Sequence, residues 1–149
     1  MIFDRTLSDA KQAVTIREEK VKKGKILTAD EIYILSRGFM SAGDLNRIES
    51  KQEELKTAFN EMGYYNTPTI NKSWSEESYF FETDLERIVK NNEILRKAYY
   101  IFASTPTDAR PKAYFEDLNK IEKMLYDLDQ MANDMKSRFK KCGTFNCGG

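Results

Sequence analysis

Histidine is absent from the chain, which therefore lacks the side chain that most often serves as a base or metal ligand near neutral pH. This absence argues against ordinary hydrolytic chemistry, although carboxylate or lysine chemistry stays open. Also missing are a glycine-rich phosphate loop, a nucleotide-binding fingerprint, a nucleophile elbow and a metal-binding helix signature. Adjacent glutamates occur at 18–19, 53–54 and 76–77, but neighbours on a helix point apart. We predict no enzyme, and no catalytic, cofactor-binding or metal residues.

Long hydrophobic runs are missing too. The longest, Ala98 to Ala103, is far too short to span a bilayer, and no apolar core of a signal peptide follows residues 1–5. Twenty-four basic and 24 acidic residues cancel, so no net field draws the chain to nucleic acid or membrane. The lysines at 20–25 fall in a last helical turn, where they offset the helix dipole. We expect synthesis in the cytoplasm, and neither nucleic acid nor membrane as a partner.

Cysteine is scarce, with only Cys142 and Cys147, both near the end of the sequence. Two cysteines cannot close a zinc site alone. A disulfide between them is feasible in an oxidising medium, whereas free thiols are expected inside a cell. We expect one helical domain over residues 1–141, followed by a flexible Cys/Gly tail over residues 142–149 that is loose or bound to a partner.

What the sequence does contain is a unit used three times, Asp-Leu-x-(Arg/Lys)-Ile, at residues 44–48, 84–88 and 117–121. The residues that follow return to one helix face after alternating steps of three and four, which is heptad spacing. We predict long helices over about 44–62, from 84 to about 103, and from 113–117 to about 140. The predicted stripe, which forms a core or an assembly face, comprises Leu45, Ile48, Leu55, Phe59, Leu85, Ile88, Leu95, Tyr99, Leu118, Ile121, Leu125 and Leu128.

Two amides interrupt this stripe at the same step, Gln52 in the first run and Asn92 in the second, where the third run has Leu125. A polar amide at such a position usually fixes the register of packed helices at some cost in stability. On this interpretation we expect the two amides to face each other. Alternatively, the stripe drifts around the helix and both amides lie at its solvated edge.

Two shorter helices are predicted before the repeats. The first begins at Thr6 or Ser8 and ends at Gly24. The second begins at the capping box of residues 28–31 and ends at Gly38. A further capping box, at residues 83–86, is predicted to open the second repeat helix.

A connector of about twenty residues separates the first two repeat helices and contains Trp74, the only tryptophan. A loop of this length either packs by its aromatic residues or carries a function. Trp74 is a candidate contact residue, although a lone tryptophan is more often part of a core. The reach of the connector makes parallel packing of the flanking helices feasible.

Several segments are distinctive in combination: residues 4–6, 10–13, 16–17, 27–31, 44–49, 62–64, 84–88 and 121–125, with Trp74 and Asn91. Together they resemble small helical tail- or baseplate-associated structural proteins of phages and prophages of Gram-positive bacteria. The resemblance implies a non-enzymatic virion component that is made in a bacterial host cytoplasm and located in the tail, with other tail or baseplate proteins as partners. The residues alone also allow an intracellular helical adaptor, regulator or assembly chaperone that is not part of the particle.

We therefore predict an all-α fold, a helical bundle of three long heptad-patterned repeat helices plus two shorter N-terminal helices. The stripes build the core of one chain, or identical neighbours complete part of it, which makes a homo-oligomer the second expected partner.

Overall fold

The computed structural model describes residues 1–71, 73–98, 105–106 and 115–142. These residues form α1 (Leu7–Glu19), a 3₁₀ turn (Val21–Lys23), α2 (Ala29–Gly38), α3 (Ala42–Glu61), α4 (Glu82–Ala98) and α5 (Phe115–Cys142). Five helices and no strand occur in the described part of the chain, which confirms the all-α class. None of the helices described is long and apolar enough to cross a membrane.

Side-chain caps explain where the helices begin. Thr6 caps α1 and Thr28 caps α2, each in a capping box with the acidic residue three positions later. Ser41 does the same for α3, so this helix begins at Ala42, two residues before the repeat unit. Such caps contribute about 1 kcal/mol each.

The predicted capping box at residues 83–86 is wrong. Helix α4 begins at Glu82, which places Thr83 inside the first turn. The carboxylate of Asp84 instead accepts a hydrogen bond of 3.1 Å from the Phe81 main-chain N–H. The acidic residue of the repeat unit therefore satisfies a free amide at the start of this helix as well.

Gly24 (φ 62°) and Gly63 (φ 85°) both adopt the left-handed conformation after a helical segment. The first helix is nevertheless shorter than predicted, because α1 ends at Glu19 and Gly24 follows the separate 3₁₀ turn Val21–Lys23. Helix α2 also ends at Gly38, but for another reason. A Cβ atom on Gly38 would lie 2.1 Å from the Ala13 Cβ and 2.8 Å from the Asp9 carbonyl oxygen. Gly38 is thus required because α1 and α2 approach each other closely there.

Helices α1 and α2 form a hairpin that packs mainly against itself. Ala13 is the only buried residue of α1, and α2 has none. Large apolar side chains consequently stay exposed on this hairpin, namely Leu7, Val14, Val21, Ile26, Ile32 and Tyr33.

Helices α3 and α5 run in the same direction. Near the start of each helix, Arg47 pairs with Glu122 at 2.8 Å, and near the end, Lys136 lies 3.7 Å from Glu61. Because the residue numbers of the paired side chains increase together along both helices, the two helices are parallel.

Helix α4 is parallel to α3 too, because Arg87 pairs with Glu49 and, one turn further on, Asn92 bonds to Gln52. Parallel neighbours need connections long enough to return to the starting end. The stretches at 62–81 and 99–114, which separate the helices, have that length.

The core lies among these three helices and the first connector. Its buried apolar residues are Leu45, Ile48, Leu55, Phe59, Trp74, Leu85, Ile88, Leu95, Ile121, Met124, Leu125, Leu128, Met131, Ala132 and Met135. Each large side chain buried there contributes about 1.5–3 kcal/mol relative to exposure. The amino ends of α3, α4 and α5 are thereby brought to one end of the core.

Candidate functional site: two clamps at the amino ends of the long helices

The predicted stripe lies inside this chain. Each described member, from Leu45 to Leu128, is at most 4% exposed. Tyr99, the last stripe position of the second repeat, lies outside the described residues, as does Cys147. The predicted roles of Tyr99 and of the cysteine pair therefore stay predictions. Cys142 is the last residue of α5, one position beyond the predicted end of the domain.

Gln52 and Asn92 meet in the core, where each is at most 1% exposed. The Gln52 side-chain N–H donates to Asn92 Oδ1 at 2.8 Å and to the Ile88 carbonyl at 2.9 Å. Asn92 in turn donates to the Ile121 carbonyl at 3.2 Å. The two amides therefore lie away from the solvated edge and link α3, α4 and α5 at one level. Asn91, which the sequence analysis named only for the resemblance, also donates to Gln52 at 3.1 Å.

The first connector is held on α3 by Asn46. Its Oδ1 accepts the Trp74 main-chain N–H at 3.1 Å, and its Nδ2 donates to the Trp74 carbonyl at 2.8 Å. One turn later, Glu49 accepts the Trp74 indole N–H at 2.5 Å. Glu49 is fully buried and also accepts from Arg87 and from the Asn71 main-chain N–H. We call Asn46 and Glu49 the α3 clamp.

The same arrangement holds the N-terminal segment on α5. Asn119 accepts the Arg5 main-chain N–H at 3.1 Å and donates to the Arg5 carbonyl at 2.8 Å. Glu122, also fully buried, accepts from the Arg5 guanidinium at 3.0 Å and from the Ile2 main-chain N–H. Arg47 of α3 adds a bond to Glu122 at 2.8 Å. We call Asn119 and Glu122 the α5 clamp.

The two clamps occupy equivalent places in the repeat. The asparagine is the variable third residue of the unit, and the glutamate directly follows its isoleucine. In both clamps the arginine of another repeat helix pairs with the glutamate. The second repeat has Glu86 and Val89 at these two positions, so α4 does not carry the asparagine and glutamate pair.

The α5 clamp belongs to a buried network of charges. Arg5 pairs with Asp44 at 2.9 Å as well as with Glu122, and Arg47 bonds to the same two carboxylates. Burial opposes the charge of Arg47, but its bonds to Glu122 and Asp44 outweigh burial and raise the pKa of Arg47 above its ordinary value. Two positive and two negative groups balance, which is the condition for burying such a cluster.

This arrangement suits holding chain segments together. The carboxylates of Glu49 and Glu122 are each engaged by several donors, and each lies against an arginine. Within the described ranges, no group of three acidic or cysteine residues is placed to hold a metal ion. The clamps therefore fix two non-helical segments, around Arg5 and Trp74, onto the amino ends of α5 and α3.

The clamp residues were not predicted, because the repeat was interpreted by its apolar spacing. The signal was available, since residues 44–49 and 117–122 both have the form Asp-Leu-Asn-(Arg/Lys)-Ile-Glu. Asparagine and glutamate three positions apart share a helix face. The identity of the segments they hold could not be read from this spacing.

Trp74, the candidate contact residue, is 8% exposed and belongs to the core. Phe80 packs against it edge to face at 5.7 Å. The exposed rings of this connector are instead Tyr79 and Phe81, which stack on each other at 6.4 Å, together with Tyr65.

Comparison of the chain with protein-family models, with curated proteins and with solved structures gave no match.

Proposed function

We propose that the chain is a non-enzymatic structural or adaptor protein of a phage tail tip or baseplate. In this proposal its working form is a parallel bundle of three heptad-patterned helices, with the α1–α2 hairpin attached. Its partners are other tail or baseplate proteins and further copies of itself.

One observation carries the proposal. Several of the segments that carry the resemblance to tail proteins supply the joints of this structure: Arg5, residues 44–49, Trp74, residues 84–88 and Glu122. These residues join helices and connectors to one another. A chain whose distinctive residues serve its own rigidity is suited to bearing load between other proteins, and this is the role of a tail component.

The exposed apolar side chains support the same function. The hairpin exposes Ile26, Ile32 and Tyr33 to at least 56%, and the first connector exposes Tyr79 and Phe81. Contiguous exposed apolar groups are typical of surfaces that bind another protein, and the rings of Tyr79 and Phe81 stack on each other. The stripe, in contrast, is buried within the chain, so contacts with neighbours would use the hairpin and the connector.

The test is to purify assembled tails from a lysate that contains the chain and to measure its copy number relative to the tail tube protein by quantitative mass spectrometry. A tail component remains in washed tails at a constant ratio. Finding the chain in the lysate but not in assembled tails would refute the proposal and favour the rival function, an intracellular adaptor, regulator or assembly chaperone.

A matched pair of variants separates folding from assembly. Tyr79→Ser changes an exposed ring and is expected to lower incorporation into tails without changing the thermal midpoint of the free chain. Lys97→Ser, an exposed change on α4, serves as the control and should leave both unchanged.

A further inference from the structure

The connector presents two aromatic rings on a rigid base. Tyr79 is 83% exposed and Phe81 is 62% exposed. Phe80, between them, points inward onto Trp74, which the α3 clamp holds by three hydrogen bonds. Because the segment is fixed at its inward residues, the outward rings lose little freedom on binding, which favours their use as contact residues.

The surroundings of these rings are acidic. Glu76, Glu77 and Glu82 are exposed, and none forms an ion pair within the described part of the chain. We call Glu76, Glu77, Tyr79, Phe81 and Glu82 the acidic aromatic patch. It would bind a surface that combines apolar side chains with positive charge.

Such a surface exists on the same chain, at the turn between α1 and α2. Val21 is 46% exposed and Ile26 is 93% exposed, and lysines lie at 22, 23 and 25. Lys22 pairs with Glu18, whereas Lys23 and Lys25 form no ion pair among the described residues. We call Val21, Lys22, Lys23, Lys25 and Ile26 the basic tip.

We propose that the basic tip of one copy docks on the acidic aromatic patch of a second copy. Lysines meet glutamates, and Val21 and Ile26 cover the stacked rings of Tyr79 and Phe81. No ion pair joins the two surfaces within one chain in the described residues. Two basic tips repel each other, as do two acidic aromatic patches, because each pair carries like charge. The contact therefore joins two different surfaces and extends into a ring or a filament.

This contact deepens the homo-oligomer part of the proposed function, but it does not require that the chain enters a tail. It can be measured on the purified chain alone. A failure of self-association would therefore be distinct from an absence of the chain in tails.

The first experiment measures the mass of the whole chain by sedimentation velocity over a range of concentrations, under reducing conditions. Association is expected at ~50 mM salt and should weaken at ~500 mM, where exposed charges are screened over a few Å. Lys23→Glu with Lys25→Glu, or Glu76→Lys with Glu77→Lys, should each raise the dissociation constant about tenfold or more, because both favourable pairs become repulsive.

The decisive arm mixes these two variants in equal amounts. Each variant alone is expected to associate more weakly than the wild type, whereas the mixture regains association, since the reversed tip of one variant matches the reversed patch of the other. Lys11→Glu with Lys97→Glu, which makes the same charge change at other exposed sites, should associate as the wild type does.

Three results would overturn the proposal. The wild-type chain is monomeric at low salt and high concentration, or the mixture fails to associate although both variants give wild-type circular dichroism, or the control pair weakens association equally. Binding of the basic tip to vesicles of anionic lipid or to DNA without self-association would assign the tip to those ligands instead. Tyr79→Ser, which changes no charge, checks the apolar part and should also weaken association.

Discussion

Arg5→Ala tests the buried charge network most severely. The Arg5 guanidinium bonds to Asp44 at 2.9 Å, to Glu122 at 3.0 Å and to the Ile2 carbonyl at 2.6 Å, and its side chain is 1% exposed. Removing one partner of a buried ion pair typically costs about 3–5 kcal/mol. Arg47 still faces both carboxylates, so we expect about 3 kcal/mol.

The assay is urea unfolding followed by circular dichroism and by Trp74 fluorescence. With a slope of about 2 kcal/mol per molar urea, the loss lowers the midpoint by about 1.5 M. Arg96→Ala is the matched control, because this arginine pairs with Glu93 on the surface of α4 and its side chain is 23% exposed. An exposed pair is worth less than about 1 kcal/mol. Equal midpoint shifts for the two variants would refute the assignment of Arg5 to a buried network.

Arg5→Lys sharpens the same test. Lysine keeps the positive charge but lacks the planar fork that reaches Asp44, Glu122 and the Ile2 carbonyl together. We expect Arg5→Lys to lower the free energy of unfolding, but by less than Arg5→Ala does. A lysine variant as stable as the wild type would show that charge alone matters at this position.

Three further predictions concern other parts of the structure. Gln52→Leu removes the donor that bonds to the buried Asn92 side chain, and should lower the free energy of unfolding in urea by about 1–3 kcal/mol. The double variant with Asn92→Leu should lose less stability than the sum of the two single variants. Trp74→Phe removes the indole bond to a buried glutamate and should lower the thermal midpoint in calorimetry by several degrees; an unchanged midpoint would contradict the clamp. The hydrogen bond from the Thr6 main-chain N–H lowers the pKa of Asp9. The hydrogen bond from the Lys20 side chain, and to a smaller extent the one from the Thr28 main-chain N–H, lowers the pKa of Glu31. At a pH above the ordinary pKa values of 3.8 and 4.5, the charged forms of Asp9 and Glu31 therefore stabilise the hairpin, and this stabilisation is lost as the pH falls through the lowered pKa values of the folded state. On acidification, far-UV circular dichroism should change before Trp74 fluorescence does. The reverse order would contradict this prediction.

Local signals predicted several of the helix starts. The capping box at Thr28 was predicted, and Thr6 was one of two candidate caps for α1; both caps act within three residues, so their sequence pattern is sufficient. Gly38 shows the limit of such signals. Its position at a helix end is readable, but its purpose depends on Ala13 of another helix, which only the fold brings near.

Long-range geometry was harder to predict. Heptad spacing fixes which face of α3, α4 and α5 is buried, but it is the same for parallel and antiparallel neighbours. The parallel direction of the helices follows from the ion pairs that Glu49 and Glu122 form with arginines of other helices. The local sequence does not identify those partners.

The candidate site was predicted in part. Gln52 and Asn92 were identified as a pair of polar interruptions, and the structure brings them together. The clamp residues Asn46 and Asn119 were overlooked, because the repeat was interpreted by its apolar spacing. Their bonds reach chain segments 28 and 114 residues away, which no periodicity encodes.

Cryo-electron microscopy of assembled tails, at a resolution that shows side chains, tests the proposed function most directly. We expect density at the tail tip or baseplate for three parallel helices, with the Trp74 side chain bound at the amino end of α3 and Arg5 bound at the amino end of α5. A tip or baseplate whose density is fully explained by other chains would contradict it.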